Sequence, residues 1–413
     1  MPSRDLLLEE HPEMSTEPRA FEGINVLDFT QGVAGPHSTM LLAQHGANVL
    51  KIEPPDGDWG RTLGAMYGDQ CAHSIAFNRG KRSLAMDMKH PDAQAAARKI
   101  AEKADIIVEA FRPGIMAKFG LSYDMVKEFN PDVIYLSVTG FGQKGPNMNL
   151  PVTDAVIQAY SGLMTVNKDG QGLPNRLNMI PIDVTTGLYA FQALSTALMR
   201  KFRFGGGCYV DNNLLQSAMA FQAAKIMEFY LEKGESQPLY VPVGTMQTTD
   251  GFINITAMRE SHYVSLCEVM GKPEWIKDER FDDRTKRLKN EKELMPMIRE
   301  VFAKRSTKDW ADSLTAAGVM NAPVQNYGDL MEAEHVKAVD SLEYLEHEGT
   351  GTIPLPHIPG QPRLNGADAL THAPGIGEHS DAILGEWGYS DADIAKMKAN
   401  GAIKYPALQA AAE

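Results

Sequence analysis

An aspartate that follows the apolar run Met179-Ile180-Pro181-Ile182 is the residue of this chain best placed to do chemistry. It heads a segment with Leu188, Phe191, Leu194 and Leu198 at helical spacing. Asp183 therefore opens an amphipathic helix, where free backbone N–H groups can hold a carboxylate ionised. Taken alone, the stretch reads as a capped helix. Two basic places could hold an anion nearby. One is Asn78-Arg79-Gly80-Lys81-Arg82 with Lys89 close behind, the other Phe111-Arg112-Pro113-Gly114. In the second, Pro113 suits the first position of a helix running to Phe119, with Gly120 as its stop. A helix N-terminus at the carboxyl end of a strand takes phosphate, and Arg112 and Lys118 add charge. Read as residues only, both places are better described as ordinary surface bases.

The elements that must position these groups follow from the pattern. A chain of 413 residues exceeds one ordinary core, so two domains are expected. Short β-branched runs at 24–29, 48–53, 105–111 and 133–138 read as buried strands, separated by helical patterns at 36–46, 91–104 and 123–129. That alternation predicts a doubly wound α/β domain over residues 22–225. A long helical pattern at 213–232 leads to a smaller α/β domain over 236–330, with a hairpin at Asp250-Gly251 and helices at 262–270, 293–303 and 308–317. Residues 1–21 read as a flexible extension. Residues 331–413 read as a linker and return, with a Pro- and Gly-rich stretch at 349–374 and a last helix at 390–400 packing back on the first domain.

Composition removes several classes of function. A formal charge of -13 disfavours a general nucleic-acid binder, since phosphate contacts need a basic face. Cys71, Cys208 and Cys267 lie far apart, which suits a reducing compartment and predicts a cytoplasmic protein. The histidines show no pair at metal-ligand spacing, so no protein-bound metal is expected. No run approaches the length of a membrane span, so no membrane partner is expected either. Gly140-Phe141-Gly142-Gln143-Lys144-Gly145 fits the G-x-G-x-x-G pattern after a strand. A dinucleotide site must lead into a helix, however, and Pro146 and Pro151 follow instead, so we read a tight loop.

Together the motifs resemble the class III CoA-transferase (CaiB/BaiF) family, which includes formyl-CoA transferase, carnitine CoA-transferase and α-methylacyl-CoA racemase. The marks run in order over residues 22–400. They are Leu27-Asp28-Phe29-Thr30 with Ala34-Gly35-Pro36, then Gly46 to Pro54, then the stretch 78–83 with Asp87-Met88-Lys89. Phe111-Arg112-Pro113-Gly114, Thr139-Gly140-Phe141-Gly142, Asp154 with Gln158-Ala159-Tyr160-Ser161-Gly162, Asp183 with Thr186-Gly187, and Thr248-Thr249-Asp250-Gly251 complete the set.

The resemblance implies that Asp183 is a nucleophile, forming a mixed anhydride with an acyl group and then an aspartyl-CoA thioester. It implies CoA contacts at Val33, Ala34, Met86, Lys89, Ala110, Phe111, Arg112, Lys118, Thr139, Gly140 and Phe141, with loop N–H groups of Thr139–Gly142 stabilising developing charge. CoA and acyl-CoA enter as substrates, beside a small carboxylic acid such as succinate or itaconate, and no permanent cofactor is required. The implied assembly is an interlocked-ring homodimer with a Rossmann-like large domain. The formyl-transferring branch has glutamine at the place of Val33 and a basic residue at that of Pro54. The racemase branch has histidine at the place of Thr153 and glutamate at that of Gly244. An acyl-CoA racemase and an inactive CoA-binding protein are the alternatives.

Overall fold

A computed structural model describes residues 18–234, 238–347, 350–361 and 369–404. The expected N-terminal extension lies almost wholly outside the described residues, as does the part 362–368 of the expected linker. The chain forms two compact units. One holds the chain to Ala223 and its return from Leu342, the other Ala224–Ser341.

The first unit is built on strands β1 (Asn25–Phe29), β2 (Asn48–Glu53), β5 (Arg82–Ala85), β6 (Ile106–Glu109), β7 (Ile134–Thr139) and β8 (Cys208–Asn213), with a small hairpin β3–β4 (Met66–Tyr67, Gln70–Cys71) to one side. The sheet order is β5-β2-β1-β6-β7-β8, and every neighbouring pair is parallel. Counted within the sheet, that is the 3-2-1-4-5-6 order of Rossmann-like sheets, which reverses between β1 and β6. Alternate residues of each strand face opposite ways. Leu27, Leu50, Leu84, Ile107 and Tyr135 join one buried cluster with helix α3 (Pro91–Ala101) and the C-terminal Ile383, Ile394 and Met397. Val26, Val49, Val108, Leu136 and Val138 join the other, with Leu42 of α1 (Ala34–Gln44) and Ile182, Ala190 and Leu194 of α7 (Pro181–Phe204). Apolar cover on both faces is what a parallel sheet requires.

Two of the six strands were not legible in the sequence. β5 begins at Arg82, directly after the basic stretch whose buried Arg79 and Lys81 hide the strand signal. β8 reads Cys-Tyr-Val-Asp-Asn-Asn at a sheet edge, too polar to signal a strand, and the helix expected from 213 begins only at Leu214, capped by the Asn213 side chain. That helix, α8 (Leu214–Phe221), is broken at Gln222, and a second helix, Ala223–Leu231, covers the rest of the expected range. The described part of the expected 349–374 linker is also structured. Gly351–Pro356 pairs antiparallel with Leu342–His347, and an outer strand tolerates prolines that give no ladder N–H.

The second unit carries a three-stranded antiparallel sheet of Val243–Gln247, Phe252–Thr256 and Met320–Pro323. Helices Glu260–Val269, Glu291–Phe302 and Thr307–Ala316 close its core around Tyr263, Phe281 and Trp310, whose indole stacks 4.3 Å from the Phe302 ring.

Charges are buried near the carboxyl ends of β1 and β2. Arg61 grips Glu53 through Nε and Nη2, both at 2.8 Å, and Lys51 donates to Asp58 at 2.8 Å and to the Thr30 carbonyl at 2.7 Å. Asp58 in turn accepts from Gly32 N–H at 2.8 Å, so this network fixes the loop between β1 and α1. Removing one partner leaves a buried charge without compensation. Arg61→Met should lower the unfolding free energy by about 3–5 kcal/mol, read from chemical denaturation. A loss below about 1 kcal/mol would contradict this reading.

Candidate active site

Asp183 lies in the first turn of α7, after Pro181 at the first helical position, and Ile180 rather than Asp183 is the N-cap. Because α7 connects β7 to the parallel strand β8, its N-terminus stands at the carboxyl edge of the sheet. The expectation that free N–H groups of this turn hold Asp183 ionised needs correction. The N–H groups of Ile182 and Asp183 both donate to Oδ2 of Asp154, at 2.7 and 2.9 Å. Asp154 is buried at the start of helix α6 (Asp154–Tyr160), so the cap reaches α7 from another helix. Its Oδ1 accepts from Gln158 Nε2 at 2.5 Å, and Gln158 Oε1 accepts from Leu177 N–H at 2.9 Å, tying down the chain that enters α7.

With the helix end occupied, Asp183 meets a different field. Burial, and then the negative charge of Asp154, push its carboxyl up to about 7. The result is a half-buried carboxyl at the sheet's carboxyl edge, poised between its two protonation states near neutrality. Asp154 and Gln158 stood in the sequence only as marks of the resemblance, with no sign that Asp154 caps a helix some thirty residues on.

The residues expected to contact CoA follow strand ends of the one sheet. Val33 and Ala34 come after β1 and are buried at the start of α1, where Val33 is the N-cap. Ala110, Phe111 and Arg112 come after β6, so these two groups flank the point where the sheet order reverses. Ligands of doubly wound sheets bind at that crevice. Phe111 N–H donates to Glu109 Oε2 at 2.8 Å, and burial pushes Glu109 up to about 7. Arg112 is exposed and lines a cavity of about 280 Å³ with Glu109, Tyr123, Ser137, Gln143 and Tyr209. Thr139, Gly140 and Phe141 come after β7, with the Phe141 ring edge-on to Tyr160 at 5.1 Å. Lys89 and Lys118 are exposed, while Met86, just past β5, is fully buried and forms an isolated bridge with Ile403.

Three expectations change. The stretch 78–82 is no surface patch: Arg79 is 5% exposed, and Lys81 is buried against Asp28 Oδ2 at 3.1 Å and Asn78 Oδ1 at 2.9 Å. Burial pushes Lys81 down to about 8. The helix after Arg112 starts later and is shorter than Pro113 suggested. It covers only Ile115–Lys118, entered through Gly114 at φ 86°, and one turn makes a poor phosphate cradle. In the loop after β7, Gly142 N–H is taken by Thr139 Oγ1 at 3.0 Å and is not free for a developing charge. The loop's backbone is nonetheless forced close to a neighbour, since a Cβ at Gly140 would stand 2.1 Å from Val152 Cγ1. No helix follows Gly145 until Asp154, as the tight-loop reading required.

Among the described residues no group of three or more His, Cys, Asp or Glu side chains could hold a metal ion, and no helix is long and apolar enough to cross a membrane.

The model of CoA-transferase family III matches residues 21–380. Succinyl-CoA:glutarate CoA-transferase of Homo sapiens is 30% identical over 397 residues, covering 93% of this chain and 90% of the relative. Succinyl-CoA:mesaconate CoA-transferase of Haloarcula hispanica is 31% identical over 390 residues, covering 89% of this chain and 96% of the relative. The crystal structure of a CAIB/BAIF family protein from Brucella suis superposes with a TM-score of 0.79 at 28% identity, over 90% of this chain and all of that one (100%). The chain belongs to CoA-transferase family III and is a CoA-transferase.

Proposed function

We propose that the chain moves CoA between an acyl-CoA thioester and a small dicarboxylic acid of the succinate, glutarate or itaconate kind, with Asp183 as nucleophile. The Asp183 carboxylate attacks the thioester carbonyl, the C–S bond breaks, and CoA leaves as thiolate while a mixed anhydride forms. The thiolate then attacks the aspartyl carbonyl, releasing the donor's acid and leaving an aspartyl-CoA thioester. The acceptor carboxylate attacks that thioester, giving a second anhydride, which the returning thiolate opens at the acceptor's carbonyl. Asp183 is regenerated, and the thioester's energy is kept throughout.

One observation carries the reading. Asp183 is a half-buried carboxyl raised to about 7, in a helix turn that packs against α1, the helix following β1 at the sheet's reversal point, and its own helix end is already occupied by Asp154. A carboxylate of raised basicity is a better nucleophile than an ordinary aspartate, and near neutral pH much of it is ionised. The residues after β1, β6 and β7 are proposed to hold CoA, with Lys89, Arg112 and Lys118 as exposed bases for its phosphates. Support for a dicarboxylic partner is the naming of similar proteins for succinyl, glutarate and mesaconate. Thr153 and Gly244 offer no group able to move an α-proton near neutral pH, which favours transfer over racemisation.

The proposal includes an interlocked-ring homodimer. Its support is the apolar outer face of α7, where Phe202 and Phe204 are 67% and 73% exposed, and a first unit that the chain leaves at Ala223 and re-enters at Leu342. Cytoplasmic residence is also part of it, supported by three unpaired cysteines.

Asp183→Ala should reduce CoA exchange by at least about 10⁴-fold while CoA affinity stays within about threefold. Exchange at a tenth of the parent rate or better would remove Asp183 from the nucleophile's role. The pH dependence has a definite sign: ionised Asp183 is the reactive form, so kcat/KM should rise with pH through about 7 and then level. Asp154→Asn removes the neighbouring negative charge and should shift that midpoint to lower pH. A midpoint that stays put would show that Asp154 does not tune the nucleophile. Phe202→Glu with Phe204→Glu should convert a dimer to monomer in sedimentation, and an unchanged sedimentation coefficient would contradict the proposed interface.

A further inference from the structure

A second contact reaches the first turn of α7 from α1, a different helix from the one that carries Asp154. His37, on α1, sets its Nδ1 3.1 Å from the carbonyl oxygen of Val184, the residue after Asp183. A carbonyl can only accept, so Nδ1 carries the proton and donates. The approach depends on a missing side chain. A Cβ at Gly187 would stand 2.6 Å from His37 Nδ1 and 2.9 Å from the Ala34 carbonyl oxygen, so only glycine seats α1 this closely one turn below Asp183. Phe77 closes the other side of the imidazole, with ring centroids 5.2 Å apart.

We infer that His37 is a positioning residue for Asp183, pinning the first turn of α1 to the first turn of α7 through the Val184 carbonyl. The inference rests on Asp183 acting as nucleophile. It explains how two turns meant to act on one thioester keep a fixed separation. α1 begins with Val33 and Ala34, proposed to line the CoA site, and α7 presents the attacking carboxylate. A displacement of an ångström between such groups can cost about 10²-fold in rate. The Asp154 cap fixes α7 to α6, apolar packing sets α1 against α7, and His37 adds a directional bond between their first turns.

The donor is also suitably neutral. Burial pushes His37 down to about 4, with Lys81 and Arg79 acting in the same direction and the Val184 carbonyl opposing. A cationic donor beside the first turn of α7 would favour ionised Asp183, lower its basicity and undo the effect of Asp154. An uncharged imidazole gives the hydrogen bond without that field.

The test compares His37→Leu, which keeps bulk but loses the donor, with His37→Asn, whose amide nitrogen falls where Nδ1 stood. Acylation of Asp183 is followed by rapid quench with succinyl-CoA, CoA binding by calorimetry and folding by circular dichroism. His37→Leu should acylate at least about tenfold more slowly with CoA affinity within about threefold, and His37→Asn should recover to within about threefold of the parent. Misfolding of His37→Leu beside a fully active His37→Asn also supports the hydrogen bond. The inference fails if His37→Leu acylates at the parent rate, or if both variants are equally slow or equally unfolded. Asp183→Asn is run alongside. If the parent forms no adduct at residue 183, the nucleophile assignment fails, whereas an adduct that is indifferent to His37 overturns only the positioning role.

Discussion

The structure depends on a carboxylate other than the proposed nucleophile. Asp154 gives one oxygen to two N–H groups of α7 and the other to Gln158, and so decides both where Asp183 stands and what charge it meets. A helix N-terminus ordinarily stabilises a negative side chain in its first turn by about 0.3–1 kcal/mol. Here that capacity is spent on Asp154, and Asp183 is left with burial and a like charge. One interaction therefore links fold to chemistry: it anchors α7 at the sheet's carboxyl edge, and it adds to burial in raising the neighbouring carboxyl.

Around that point the fold supplies rigidity by unusual means. Asp28, Lys51, Asp58, Glu53, Arg61 and Lys81 are buried at the strand ends, each with hydrogen-bonded partners. Buried pairs are weak contributors to net stability but strong constraints on geometry. Their partners here include Thr30 N–H, Thr30 carbonyl and Gly32 N–H, the backbone of the loop between β1 and α1. Glycines act in the same way where a side chain would intrude, as at Gly140 against Val152 and Gly187 against His37.

Much of this architecture was legible in the sequence, and the failures have physical causes. Strands β1, β2, β6 and β7 announced themselves as apolar runs because both faces of a central parallel strand are covered. β5 and β8 did not, since one is four residues long and directly follows the basic stretch that holds Arg79 and Lys81, and the other is a polar edge strand. Asp183 was found because its helix is amphipathic and its neighbours follow a family order. Its cap was misassigned, because spacing reveals contacts within a helix and not a carboxylate arriving from another one. The basic stretch 78–82 misled for the same reason. Composition counts Arg79 and Lys81 as cations, while only the fold reveals Asp28 waiting for one of them.

The site thus reduces to a claim about covalency: a basic, half-buried aspartate, held by Asp154 on one side and by α1 on the other, carries the acyl group and then CoA. Turnover with a succinyl-CoA donor in the presence of hydroxylamine, followed by peptide mass spectrometry, tests it most directly. The account predicts a hydroxamate confined to the peptide containing Asp183 and dependent on donor. Complete turnover with residue 183 unmodified, or a modification mapping to another residue, would contradict it.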